Sequence, residues 1–464
     1  MENNYSGKRI LVIGAARQGL AMARYMCRVG AIVTLTDKRN ETQLSVEIEE
    51  MKRFGVTWSL GGHPIELLND VDIVSISGGV PLTLPIILEA QKRGLPLIND
   101  SQVFFDACPC KTIGITGSAG KTTTTSLVGS IGNYHTQIKN LPSRVWVGGN
   151  IGNPLIEFLD SMQQDDIAVV ELSSFQLEIM RRSPNIAAIL NITPNHLDRH
   201  GTMQAYTEAK ARILTFQGNS DLAVLNRDDA GSWELVERIN TSLITFGMAI
   251  PPKHINGTFI KRDHIYLQME GDQVKLLPVD WIRLPGQHNL YNVLAACAIS
   301  VGASFSLPAI QEAVDTFEGV PHRLELVREL NGVKWYNDSI ATAPERTMAA
   351  INSFTSPLVL LAGGRDKNLP WSQLGELIRQ RVDHLVGFGE CADLVINAVG
   401  QVPAGSKPYS ITKCNGLEQA VQSAAAVATQ GDCVLLSPGG TSFDEFKDFE
   451  ERGEKFQKWV NELS

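Results

Sequence analysis

The chain has 464 residues, 43% apolar and 20% charged, with a formal net charge of −9; this suits a soluble protein of two to four domains and argues against general affinity for DNA or RNA. No run approaches the roughly 20 apolar residues of a membrane span, and the N-terminus lacks the layout of a signal peptide, so a cytoplasmic protein without membrane insertion is expected. The seven cysteines are scattered, Cys108 and Cys110 being the only close pair, and reduced thiols without a zinc site are expected.

Apolar strand-like runs alternate with helical patterns from end to end, which predicts an α/β fold of parallel sheets covered by helices. Three sections are expected: 1–99, 100–319 and 320–464. The first opens with "KRILVIGAARQGLAMARYMCRVGAIVTLTDKR", a strand, glycine turn, helix and second strand closing on Asp37 as a dinucleotide-type fold does. Ala16 replaces the middle glycine of that fingerprint, which weakens the case for a pyrophosphate there. A nicotinamide dehydrogenase is compatible with this section alone, but it leaves the next section's phosphate loop without work. "VDIVSISGGVPLTLP" predicts another strand, ending in Gly78, Gly79 and Pro81. Ligands gather beyond such carboxyl ends, although a plain Gly-Pro turn explains these residues equally well.

In the second section, "ITGSAGKTTTTS" predicts a strand turning through Gly117 and Gly120 into a helix. Backbone N–H groups then face phosphate oxygens at the helix's positive end. Lys121 reaches the outer phosphates, and Thr122 can offer its hydroxyl to a magnesium ion. The strict Walker pattern fails, because Ile115 stands where its first glycine belongs. A lysine at a helix start nonetheless opposes the helix dipole unless an anion is there. Further on, "DIAVVELSSFQLE" places Glu171 where a buried strand gives way to polar residues, a position from which a carboxylate can hold magnesium. The following segment carries Asn191, His196, Asp198 and Lys210 within twenty positions. Singly, His196 has an ordinary loop or surface explanation and Lys210 that of a solvated helix face; together the four suggest a site.

The third section, from "PHRLELVRELNGVKWYNDSIATAPERTMAAI" to "GDCVLLSPGGTSFDEFKDFEERGEKF", predicts strands that end in polar, Gly-rich or hydroxyl residues. Sheets supply a binding edge in this way.

Taken together, "TGSAGKTT", "GGNIGNP", "ELSSFQLE", "NITPNHLDRHG", "YTEAKARI", "LPGQHNLYNVLAA", "PHRLE", "YNDSIAT", "LAGGRDK" and "LLSPGGTSFDEFKDFEERG" resemble, in order and over the full length, the motifs of the Mur ligase family. These ATP-dependent amide-forming enzymes build the peptide of bacterial cell-wall precursors. Within the family, the branch adding D-glutamate to UDP-MurNAc-L-Ala is the most similar. The resemblance implies a Rossmann-like N-terminal domain for the UDP-sugar, a central P-loop-type ATPase domain, and a Rossmann-like C-terminal domain for the amino acid. It implies carboxylate phosphorylation by ATP, attack of the glutamate amine on the acyl phosphate, and collapse to amide and phosphate. A cytoplasmic monomer serving peptidoglycan synthesis is expected.

By that resemblance, Thr116, Gly117, Ser118, Ala119, Gly120, Lys121, Thr122 and Thr123 cradle ATP, with Asn289 and Asn292 near the adenine and Arg323 and Asp338 at phosphates and ribose. Lys121, His196, Lys210 and Arg323 are the catalytic candidates. Two Mg2+ ions, replaceable by Mn2+, would be held by Thr122, Glu171, His196 and a carbamate on Lys210. Carbon dioxide converts a cationic lysine into an anionic oxygen donor suited to magnesium. Ala15, Ala16, Arg17, Asp37, Lys38, Arg39, Gly79, Asn150 and His196 match UDP-sugar positions, and Thr342, Lys367, Ser442, Phe443 and Phe449 match glutamate positions. One departure stands out: many glutamate ligases carry "NDSKAT", and this chain has Ile340 at the lysine. That leaves L-glutamate open as the acceptor. A folylpolyglutamate synthase is disfavoured by the length of chain preceding the phosphate loop, and a non-catalytic nucleotide-binding regulator by the joint presence of Lys121, Glu171, His196 and Lys210.

Overall fold

The computed structural model describes residues 5–464 except 151, 153, 285 and 368, and leaves aside the side chain of Asp198. The chain forms two compact units, one running to Phe317 and the other Glu318–Ser464.

The first unit holds two sheets. Strands β1 (Arg9–Ile13), β2 (Ile32–Asp37), β3 (Thr57–Leu60), β4 (Ile73–Ile76) and β5 (Leu97–Ile98) pair in parallel in the order β3-β2-β1-β4-β5. The chain departs to opposite sides of β1, which opens a crevice beyond the ends of β1 and β4. The helix Arg17–Arg28 presses against the turn after β1 so closely that a Cβ on Gly19 would lie 1.8 Å from the Gly14 carbonyl oxygen. Glycine is required there for the helix to seat at all.

The second sheet is built from β6 (Lys111–Thr116), β7 (Val145–Gly149), β8 (Ile167–Glu171), β9 (Ile186–Ile189), β10 (Leu222–Asn226), β11 (Ser242–Phe246), β12 (Gly257–Lys261), β13 (His264–Met269) and β14 (Asp272–Pro278). Their order is β14-β13-β12-β11-β10-β9-β6-β8-β7. The central strands β6 and β9 are almost wholly buried, as parallel strands covered on both faces are. On one face, helices Lys121–Lys139 and Gln287–Gly302 bury Leu127, Val128, Leu294 and Ile299 against Ile113 and Val169. On the other, Phe104, Val170, Leu177 and Ile213 join Val12 and Met26 of the preceding section in one continuous core. The strands β12–β14 form an antiparallel meander that the α/β rhythm does not announce. Its tight turns place Arg262 at φ +56°, Glu270 at +51° and Gly271 at +92°, as two-residue hairpin loops require.

In the second unit, β15 (Glu325–Leu330), β16 (Val333–Asn337), β17 (Leu358–Gly363), β18 (His384–Phe388), β19 (Ser410–Lys413) and β20 (Cys433–Gly439) order as β15-β16-β20-β17-β18-β19, with β15 alone antiparallel. The last strand enters the middle of the sheet and is buried at every residue. Trp335, Phe388 and Phe456 pack one face; Ile351, Leu360, Leu374 and Val399 pack the other. Among the described residues no helix is long and apolar enough to cross a membrane, and the seven cysteines are thiols.

Candidate functional site

Thr116 closes β6 and Lys121 opens the long helix, so Gly117, Ser118, Ala119 and Gly120 form the turn between them. Gly120 adopts φ +81°, and a Cβ on it would stand 2.2 Å from Asn292 Oδ1. Both the backbone sign and the close approach therefore demand glycine. The loop is clasped from outside. Asn191 accepts from Ser118 N through its carbonyl (3.0 Å) and from Ala119 N through Oδ1 (2.8 Å), and its amide donates to the Ala119 carbonyl (3.1 Å). Ser118 Oγ lies 3.0 Å from Tyr206 Oη and accepts from Thr193 N at 2.9 Å. Such bracing holds the loop's shape before any ligand arrives. Lys121 Nζ curls over the loop, donating to the Gly117 carbonyl at 2.7 Å and the Ser118 carbonyl at 3.3 Å.

Beside the loop, the carboxylate of Glu171 accepts from Thr122 Oγ1 at 2.8 Å and from Asn150 Nδ2 at 2.9 Å. Glu171 ends β8, immediately next to β6, which is why residues 49 apart in sequence meet. Lys210 comes from the helix Met203–Thr215 and is fully buried. Its amine donates to the Gly117 carbonyl at 2.9 Å and to Thr116 Oγ1 at 3.3 Å, and lies 4.8 Å from the centre of the Tyr206 ring. Burial, reinforced by the charge of Lys121 and opposed by Glu171, drives its pKa well below that of an ordinary lysine. The neutral amine is thereby favoured. Among the described residues no three His, Cys, Asp or Glu side chains converge to hold a metal by themselves. Any cation at Thr122 and Glu171 therefore takes further oxygens from phosphate, water or a modified lysine.

His196 sits at φ +53° ahead of the short helix Leu197–His200, with its ring centre 5.1 Å from that of Phe175. Phe175 also stacks on His200 at 5.2 Å and meets Arg199, whose guanidinium lies 4.1 Å from the ring centre. Arg199 also donates to the carbonyls of Gly79 (3.1 Å) and Val80 (2.5 Å). The turn expected to meet the UDP-sugar is thus tied to the segment that carries His196. Asn289 and Asn292 are buried and joined, Asn292 Nδ2 donating to Asn289 Oδ1 at 3.0 Å, with Asn292 against Gly120.

In the first sheet, Ala15 N donates to Asp37 Oδ2 at 2.7 Å, while Arg39 offers its backbone N (2.9 Å) and Nε (3.0 Å) to Oδ1. Burial works against the Asp37 carboxylate, yet Arg39 and the two backbone N–H groups bring it down to about 2. These three expected uridine positions form one charged knot, while Ala16, Arg17, Lys38 and Gly79 lie exposed beside it.

In the second unit, Asp338 follows β16 and is buried. Ser437 Oγ donates to it at 2.8 Å and Leu324 N at 3.3 Å. Burial raises its pKa to about 7 despite these donors and the neighbouring charge of Arg323. Lys367 Nζ donates to Thr342 Oγ1 at 3.1 Å. Ser442 is buried and its carbonyl accepts from Phe446 N at 2.8 Å; Phe443 is 60% exposed. Phe449 starts the helix Phe449–Glu462, and its carbonyl accepts from Ser339 Oγ at 2.8 Å.

Several of these residues carry no motif-level signal strong enough to single them out. Arg452 is fully buried and holds Ser339 Oγ (3.0 Å), the Ser339 carbonyl (2.8 Å) and the Gly440 carbonyl (3.2 Å). From sequence it is one charge among many in "DFEERGEKF". Arg199 hides similarly in "LDRHG".

The family description "Mur ligase middle domain" matches residues 115–300, "Mur ligase, glutamate ligase domain" matches 322–440, and "Mur ligase MurD-like, N-terminal domain" matches 8–99. Among curated relatives, the "UDP-N-acetylmuramoylalanine--D-glutamate ligase" of Symbiobacterium thermophilum is 39% identical over 457 residues, covering 98% of each chain. The protein of the same name from Clostridioides difficile is 38% identical over 461 residues, covering 98% of this chain and 99% of its own. Among solved structures, MurF from Acinetobacter baumannii aligns at a TM-score of 0.56 with 17% identity, over 97% of this chain and 93% of its own. MurF from Thermotoga maritima in complex with ADP aligns at 0.52 with 18% identity, over 100% and 97%. At such identities the structural likeness concerns the fold.

Proposed function

The chain belongs to the Mur ligase family, and from that premise we propose that it joins D-glutamate to UDP-N-acetylmuramoyl-L-alanine, with cleavage of ATP, in peptidoglycan precursor synthesis. The observation that carries this is the buried Lys210 amine placed on the phosphate loop alongside Lys121, next to the Glu171–Thr122 pair. That is a site arranged for bringing anions together.

The proposed domain limits are 1–99 for the UDP-sugar, 100–319 for ATP and 320–464 for the amino acid. Residues Thr116 to Thr123 hold the nucleotide phosphates, their loop kept in shape by Asn191, and Asn289 and Asn292 lie toward the adenine. Arg323 and Asp338 serve phosphates and ribose. The hard oxygen donors of Thr122 and Glu171 fit Mg2+, with Mn2+ as a substitute, and His196 and a carbamate on Lys210 would complete the set for a second ion. Bound there, such ions would offset the mutual repulsion of ATP and the substrate carboxylate. Lys210 is suited to carbamate formation because its neutral amine adds carbon dioxide, releasing one proton and leaving an anionic oxygen donor.

The chemistry follows from two anions that must meet. Lys121, now on its own loop carbonyls, swings to the outer phosphates when they arrive and stabilises the charge developing in transfer. The lactoyl-alanine carboxylate attacks the γ-phosphorus to give an acyl phosphate, ADP departs, and the glutamate amine displaces phosphate through a tetrahedral intermediate. The UDP-sugar is proposed to lie along Ala15, Ala16, Arg17, Asp37, Lys38, Arg39 and Gly79 toward Asn150 and His196. Glutamate is proposed to meet Thr342, Lys367, Ser442, Phe443 and Phe449. A cytoplasmic monomer completes the proposal. The test is phosphate release by the purified protein: it is expected only when ATP, UDP-MurNAc-L-Ala and glutamate are all present, and release without either co-substrate contradicts the proposal.

A further inference from the structure

Four cations gather around the turns that follow β16, β17 and β20, and they divide into two kinds. Arg365 is held bidentately by Glu390 at 2.8 Å and 2.8 Å. Arg452 is buried on a hydroxyl and two carbonyls. Lys367 and Arg346 have much less. The ammonium of Lys367 meets the hydroxyl of Thr342, and Arg346 Nη1 stands at 3.5 Å from the Ile340 carbonyl. Among the described residues neither has a carboxylate oxygen within 4 Å.

Two further facts make Arg346 unusual. It lies in the first turn of the helix Pro344–Asn352, where a cation opposes the helix dipole as Lys121 does at the phosphate loop. Its charge is also near enough to Lys367 to depress that amine, after burial and against the opposing charge of Glu345. Glu345 and the buried Asp338 offset part of this charge, but neither forms an ion pair with the two cations; their residual repulsion becomes attraction when an anionic ligand binds. The helix itself is anchored: Thr347, next to Arg346, is buried and donates to the Ser437 carbonyl at 3.2 Å.

We propose that Arg346 is a specificity-determining residue of the acceptor site, forming with Lys367 a two-cation clamp that requires an amino acid bearing two carboxylates. This rests on the ligase function proposed above. Lys367 takes one carboxylate and the planar fork of Arg346 takes the other, which leaves the amine between them free to attack. The charge absent at Ile340 is supplied six residues later. A neutral or basic amino acid leaves one cation unmatched and is rejected on that ground.

Steady-state kinetics of the full-length protein test this with Arg346→Ala, Arg346→Lys and the double variant Ile340→Lys/Arg346→Ala. Arg346 is exposed, so its truncation leaves the fold intact, which a thermal melt verifies. Arg346→Ala is expected to raise KM for glutamate about tenfold or more, with KM for ATP and the UDP-sugar within about twofold. Arg346→Lys is expected to fall between, and the added lysine at 340 to recover part of the loss. An Arg346→Ala enzyme whose KM for glutamate stays within about twofold of wild type, or whose three KM values rise together, overturns the clamp. A wild-type protein inactive with glutamate of either hand overturns the ligase function, and the clamp with it; an active wild type with an indifferent Arg346→Ala overturns the clamp alone.

Discussion

Replacing Lys210 with methionine separates the chemistry of the site from its packing. The side chain is fully buried, and methionine preserves most of its length and volume, so little cavity forms. Neither acceptor is orphaned. The Gly117 carbonyl keeps its 2.7 Å bond from Lys121, and Thr116 Oγ1 still donates to the Leu172 carbonyl at 2.8 Å. The lost hydrogen bonds cost about 1 kcal/mol, and relief of the buried amine offsets a similar amount, leaving stability changed by no more than about 1 kcal/mol. Turnover is expected to fall about a thousandfold or more, equivalent to ~4 kcal/mol at the transition state. Short carboxylic acids are expected to restore part of that loss by standing in for the carbamate proposed on Lys210, whereas high bicarbonate is not. The assay couples phosphate release to a thermal melt of the same preparation. Turnover within about tenfold of wild type, at unchanged stability, refutes the role given to Lys210.

Glu171→Gln keeps the bond from Thr122 sterically possible but removes the charge; magnesium-dependent phosphate release is expected to drop about a hundredfold or more, with a shift of the magnesium optimum to higher concentration. Gly120→Ala forces a Cβ to 2.2 Å from Asn292 Oδ1 at φ +81°, and a loss of about 1–3 kcal/mol in chemical denaturation, with weakened nucleotide binding, is expected. Arg199→Ala severs the bonds to Gly79 and Val80 and is expected to raise KM for the UDP-sugar more than KM for ATP. Asp338, raised to about 7 by burial, favours its neutral form in the fold. Its contribution to stability is therefore fully present below the unfolded carboxylate range near 4 and is lost as pH rises through about 7. Asp338→Asn is expected to flatten that slope in melts of the ligand-free protein between pH 5 and pH 8, and an unchanged slope contradicts it.

The sequence reveals what depends on local chemistry. The phosphate loop is legible because glycines, a lysine and threonines at fixed spacing between a buried strand and a helix have few other uses. The dinucleotide-type turn at Gly14 is legible for the same reason, and Gly19 shows why that spacing matters sterically. What depends on long-range placement is not legible. Arg452 and Ser437 gain their roles only because β20 inserts between β16 and β17, bringing the chain's end beside Ser339 and Asp338. Asn191 registers as one polar residue in a cluster, and only the pairing of β6 with β9 makes it the clasp of the loop. The burial of Lys210 is equally invisible, since "YTEAKARI" reads as an ordinary solvated helix face. The meander β12–β14 is missed because the alternating rhythm of the chain masks two tight hairpins.

The central claim is that ATP activates the substrate carboxylate directly, and oxygen labelling tests it. UDP-MurNAc-L-Ala carrying 18O in the alanyl carboxylate is incubated with ATP, glutamate and the protein, and the released phosphate is weighed by mass spectrometry. Transfer of one labelled oxygen to phosphate for each amide formed is the predicted result. Unlabelled phosphate accompanying amide formation contradicts an acyl phosphate and, with it, the arrangement of Lys121, Glu171 and Lys210 as the machinery that makes one.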